Sequence, residues 1–108
     1  MTYQRYYHYT RDYIDLGRSA ERLLGEMGYP EDAPENADDY TRAVKVMGAA
    51  ADGDIKQLCE LSALSMAAFA AKYGIPYRTL QDWCSGKRTP PEYLPMLLGY
   101  VIVTELWK

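Results

Sequence analysis

The chain has 108 residues, 48% hydrophobic and 25% charged, and a net charge of −3. This is ordinary composition for one small folded unit, and it excludes wholesale disorder. The acidic total gives the whole chain no pull toward nucleic acid or anionic membrane, and one histidine with two cysteines predicts no catalytic set, no metal site and no cofactor.

The first ten residues contain Tyr3, Tyr6, Tyr7 and Tyr9 and show no classifiable period. Interleaved only with Arg5, His8 and Arg11, these tyrosines suit packing or a dimer contact better than base stacking. They also lack the apolar run of a signal peptide. A helix is expected from about Thr10, where Tyr13, Leu16, Ala20, Leu23, Leu24 and Met27 recur at helical spacing. Thr10 or Asp12 is its candidate cap, and Gly28 and Pro30 end it. Residues 30–38 read as an acidic loop broken by prolines. A second helix starts at the Asp38/Asp39 cap, with Tyr40, Ala43, Val44, Met47 and Ala51 on one face.

Asp52-Gly53-Asp54 is a breaker followed by another cap. Short helices follow: one from Ile55, one from Met66 to Tyr73, and one from Tyr77 to about Ser85. A last helix begins after Pro90-Pro91 and runs toward Lys108. Nothing alternates with a period of two. The expectation is an all-α helical bundle, with residues 1–53 as an N-terminal helical extension and residues 54–108 as a module ending in a long apolar helix. That apolar run, Tyr93 to Trp107, is too short to span a bilayer and contains Pro95 and Glu105, so a cytoplasmic protein with reduced thiols is expected.

Charge is unevenly divided. Residues 1–54 carry six Lys/Arg against eleven Asp/Glu, a net of −5, and residues 55–108 carry six against four, a net of +2. The basic half holds the informative stretch, Ser65 to Pro90. Ser65 is a good N-cap for an alanine-rich helix. Gly74 stops that helix and permits the left-handed backbone of a sharp turn. Ile75 plugs the corner, and Pro76 suits the start of the next helix. Two short helices joined by a glycine-containing turn form a helix-turn-helix. Ala70 supplies the small side chain at the crossing, and Phe69, Tyr73, Leu80 and Trp83 fill the shared core.

Phe69-Ala70, Gly74-Ile75, Thr79-Leu80, Trp83 and Gly86-Lys87-Arg88-Thr89-Pro90 together resemble the helix-turn-helix of the phage-repressor-like (Cro/C1-type, or XRE) regulators. The resemblance covers residues 54–92. It is strongest to short single-module versions on bacterial mobile elements, in which an Ile-Pro-x-Arg-Thr run opens the recognition helix. Two positions depart from the family pattern: Met66 stands where glutamine is frequent, and Cys84 where an acidic residue often follows the tryptophan. The resemblance implies double-stranded DNA as partner and transcriptional regulation as function.

A helix from Pro76 advances about 100° per residue. With Leu80 and Trp83 inward, Arg78, Gln81, Asp82 and Ser85 point outward, Tyr77 stands at the N-terminal edge and Thr79 on the flank. Tyr77, Arg78, Gln81 and Asp82 are the candidate base contacts, since Arg pairs with guanine O6/N7 and Gln with adenine N6/N7. Asp82 repels phosphate unless it accepts from a cytosine amine or orients Arg78. Thr79, Ser85, Lys87 and Arg88 are the candidate phosphate contacts. The last helix is apolar around nearly its whole circumference, which predicts packing against the first two helices together with a homodimer contact. The alternative is a helix-turn-helix that holds a protein partner, through the N-terminal half or the last helix, as an antitoxin-like or mobile-element accessory protein.

Overall fold

In a computed structural model describing residues 1–107, seven helices follow one another: α1 (Tyr3–Asp15), α2 (Ala20–Met27), α3 (Ala37–Asp52), α4 (Ile55–Leu61), α5 (Met66–Tyr73), α6 (Tyr77–Ser85) and α7 (Leu94–Leu106). The described residues contain no strand, and the protein is an all-α helical bundle. No helix among them is long and apolar enough to cross a membrane.

The N-terminal part differs from its sequence expectation in three respects. Helix begins at Tyr3, where the Thr2 hydroxyl accepts from the Arg5 N–H at 3.1 Å. Thr10 is no cap: it is 1% exposed in mid-helix and donates to the Tyr7 carbonyl at 2.7 Å. The single helix expected to Met27 is also broken in two. Gly17 (φ +82°) and Arg18 (φ +58°) adopt the left-handed conformation, which ends a helix. The Arg18 guanidinium is anchored by Asp52 Oδ1 at 2.7 Å, and Ser19 restarts the helix by accepting from the Arg22 N–H. Asn36 rather than Asp38 or Asp39 caps α3, its Oδ1 accepting from both of their N–H groups. The two aspartates instead occupy the first turn, where the helix dipole favours negative charge.

α3 is the central element. Ala43, Val44, Val46 and Met47 are fully buried, and Ala49 and Ala50 nearly so. Small side chains let its neighbours approach closely. A Cβ on Gly48 would come within 2.7 Å of the Tyr13 ring, and one on Gly99 of α7 within 2.5 Å of the Ala50 Cβ. α7 packs chiefly on α3 through Leu98, Ile102 and Val103. α1 reaches α7 through Tyr6, fully buried, whose hydroxyl donates to the Met96 carbonyl at 2.7 Å. One continuous core therefore runs from Tyr6 to Trp107, crossing the 53/54 boundary drawn from the sequence. α7 is not buried all round: Tyr93, Leu97 and Val101, four residues apart, remain exposed.

A polar cluster closes the far end. Asp32 accepts two guanidinium hydrogen bonds from Arg5 and one from the Trp107 indole, and the same guanidinium lies over the Trp107 and Tyr9 rings. The hydrogen bonds from Arg5, above all, hold the Asp32 carboxyl well below the usual carboxylate range. A depressed carboxyl adds stability that is fully present above its unfolded value of about 4 and is lost as pH falls toward the folded value. Asp32→Asn is therefore expected to melt below the native chain at pH 7, with the gap closing under acid. Melting curves from pH 7 to 2 check this, and a gap independent of pH contradicts it.

Candidate nucleic-acid interface

The α5–α6 unit is built from local signals. The Ser65 hydroxyl accepts from the Ala68 N–H at 3.1 Å and starts α5. Gly74, at φ +66°, ends it. The Ile75 N–H then returns to the Ala70 carbonyl at 2.9 Å, so the chain turns from α5 into α6 within three residues, Gly74-Ile75-Pro76. Phe69, Ala70 and Leu80 are buried, while Ile75 and Trp83 are half-buried against the core. The Phe69 ring meets Tyr73 edge-on, with centroids 4.8 Å apart. Tyr73 is half-buried as well, and Gly74 lies exposed at the turn.

α6 ends at Gly86 (φ +81°), and the Arg88 N–H donates back to the Asp82 carbonyl at 3.1 Å. That bond folds the Lys87-Arg88 segment against the end of the helix instead of letting it run free. Tyr77, Arg78, Gln81, Ser85, Lys87 and Arg88 are exposed, and Thr79 is half-buried. The Ser85 hydroxyl is engaged locally, donating to the Asp82 carbonyl at 3.2 Å. Of the expected base and phosphate contacts, Tyr77, Arg78, Gln81, Ser85, Lys87 and Arg88 are thus open to solvent, and Thr79 is only partly so.

Asp82 occupies a different setting. Its side chain is only 13% exposed, against 77% for Arg78 and 70% for Arg88. Arg78 Nε lies 3.6 Å from its Oδ1, and Arg88 Nε 3.7 Å from its Oδ2. The i,i+4 spacing of Arg78 and Asp82 made the first pair readable from sequence. The second depends on how the chain turns after Gly86, which no spacing rule supplies.

Three cations elsewhere are tied to carboxylates remote from α6. Arg5 pairs with Asp32, Arg18 with Asp52 and Lys72 with Glu105. Among the described residues Lys87 takes part in no ion pair, and neither do Arg11, Arg22, Arg42, Lys45 and Lys56. Burial pushes the thiols of Cys59 and Cys84 up, so both are neutral and weakly nucleophilic at pH 7. A cleft of about 360 Å³ between α1 and the end of α3, lined by Tyr7, Arg11 and Met96 among others, receives nothing from α6.

By architecture the chain is an all-helical bundle with a two-helix, tight-turn unit on its surface. It matches no protein-family model, no curated protein and no solved structure.

Proposed function

We propose that α6 is a recognition helix for duplex DNA and that the protein is a small sequence-specific regulator of transcription. One observation carries the reading. A short helix buries Leu80 against its tight-turn partner while Tyr77, Arg78 and Gln81 stand exposed along it and Lys87 and Arg88 flank its end. Side chains of these types reach base edges and phosphates when such a helix lies in the major groove. The exposed Tyr93-Leu97-Val101 stripe of α7 supports self-association as part of the same reading, since a dimer places two recognition helices about one DNA turn apart.

Selection from random duplexes at low salt tests it. Enrichment of a short site is expected, and two half-sites about 10 base pairs apart would report the dimer. Enrichment of nothing overturns the regulator reading and favours a helix-turn-helix used for protein contacts. On the selected site, Arg78→Ala is expected to cost about 1–3 kcal/mol and to relax preference at one base pair. Lys87→Ala is expected to weaken binding to all duplexes alike and to lower the salt slope by about one unit. Titrations at several salt concentrations separate the two effects.

A further inference from the structure

We infer that Asp82 is a positioning residue for DNA recognition: one carboxylate that aims Arg78 at its base and fastens Arg88 beside it. This deepens the reading of α6 given above and rests on it. A carboxylate on a phosphate-facing surface lowers affinity for any duplex, so its presence there calls for a compensating role. Its surroundings supply one. Each carboxylate oxygen faces the Nε of a different arginine, one on α6 and one beyond Gly86.

Both separations exceed hydrogen-bond length, so the attraction biases the two side chains without locking them. Contact through Nε also leaves the outer edge of each guanidinium, with its terminal amino groups, to meet a base or a phosphate. The carbonyl of the same residue accepts from the Arg88 backbone at 3.1 Å, so Asp82 holds the Arg88 main chain by a hydrogen bond and draws its guanidinium by charge. At 13% exposure and with an arginine on each oxygen, Asp82 is poorly placed to accept from a cytosine amine itself.

Removing the charge separates the possibilities, because positioning and bulk electrostatics then move in opposite directions. Asp82→Asn makes the α6 surface more positive. It is expected to bind scrambled duplex more tightly while its preference for the selected duplex over the scrambled one falls about tenfold. The lost preference should lie at the base pair that Arg78→Ala also relaxes, and the asparagine change should add no further loss in an Arg78→Ala background. Preference retained at that base pair, or lost at a different one, overturns the inference and leaves α6 as the reader of DNA. Wild-type protein that enriches no duplex removes both.

A second measurement needs no variant to fold. By nitrogen-15 relaxation of the free wild-type protein, the Nε–H groups of Arg78 and Arg88 are expected to be more restricted than that of exposed Arg11. Equal mobility overturns the inference.

Discussion

Gly99→Ala is expected to destabilise the protein by about 2–3 kcal/mol, near the upper end of ordinary overpacking costs. A methyl group on Gly99 would lie 2.5 Å from the Ala50 Cβ and 2.6 Å from the Tyr6 hydroxyl. Neither obstacle is a flexible chain end. Ala50 Cβ is fixed to the α3 backbone, and the Tyr6 hydroxyl is held by the Met96 carbonyl. Relief therefore requires α3 and α7 to separate, which opens a close helix–helix contact in the core. Helix propensity works the other way, favouring alanine by up to about 1 kcal/mol, but the steric cost exceeds it.

Gly25→Ala provides the internal comparison. Gly25 is exposed in α2, and a Cβ there meets nothing within 4 Å. The same chemical change is expected to stabilise the protein by as much as about 1 kcal/mol. Thermal melts should show Tm falling by on the order of 10 °C for the first variant and rising slightly for the second. Equal effects at the two sites would show that the α3–α7 crossing is looser than the close approach of Gly99 and Ala50 implies.

A fragment of residues 54–108 alone is expected not to fold cooperatively, although it contains the entire helix-turn-helix resemblance. Leu98, Ile102 and Val103 of α7 are buried chiefly against α3. Removing residues 1–53 exposes them and also takes away Tyr6 and Tyr13. A piece of this length would bury only about 60% of the surface its unfolded chain exposes even if it were ideally packed. Circular dichroism should show reduced helix and a broad, non-sigmoidal melt for the fragment, against one sharp transition for the full chain. A sharp transition in the fragment would establish the second half as a separate folding unit.

The α5–α6 segment was legible because its signals are local. Ser65, Gly74 and Gly86 act on backbone within a few residues of themselves, and Leu80 repeats the burial of Phe69 across one turn. The break at residues 16–19 was only partly legible: Gly17 and Ser19 are ordinary stop and cap signals, but the apolar spacing runs on across them and Arg18 is not a residue that announces a left-handed backbone. Its N–H donates to the Tyr13 carbonyl at 2.8 Å, and its guanidinium pairs with Asp52, 34 residues away.

The place of α3 was hidden for another reason. Alanine and glycine score weakly as apolar residues, so a helix buried for its smallness reads as less central than the leucine- and valine-rich α7. The candidate site divides along the same line. Helical spacing alone placed Tyr77, Arg78 and Gln81 on one outer arc, whereas the Arg88 approach to Asp82 comes from a turn made after the helix has ended.

The meeting of α1 with α7 also bears on how the chain reaches its native state. Tyr6 and Met96 are 90 residues apart in sequence, so this contact closes a loop of nearly the whole chain. Helical proteins usually fold fast because their contacts are short-range, and here the core stays open until the final helix arrives. During synthesis α1 to α6 are all made before α7, leaving the apolar faces of α3 and Tyr6 uncovered for that interval. A chain released before α7 is made therefore presents that apolar surface to solvent and is prone to aggregate.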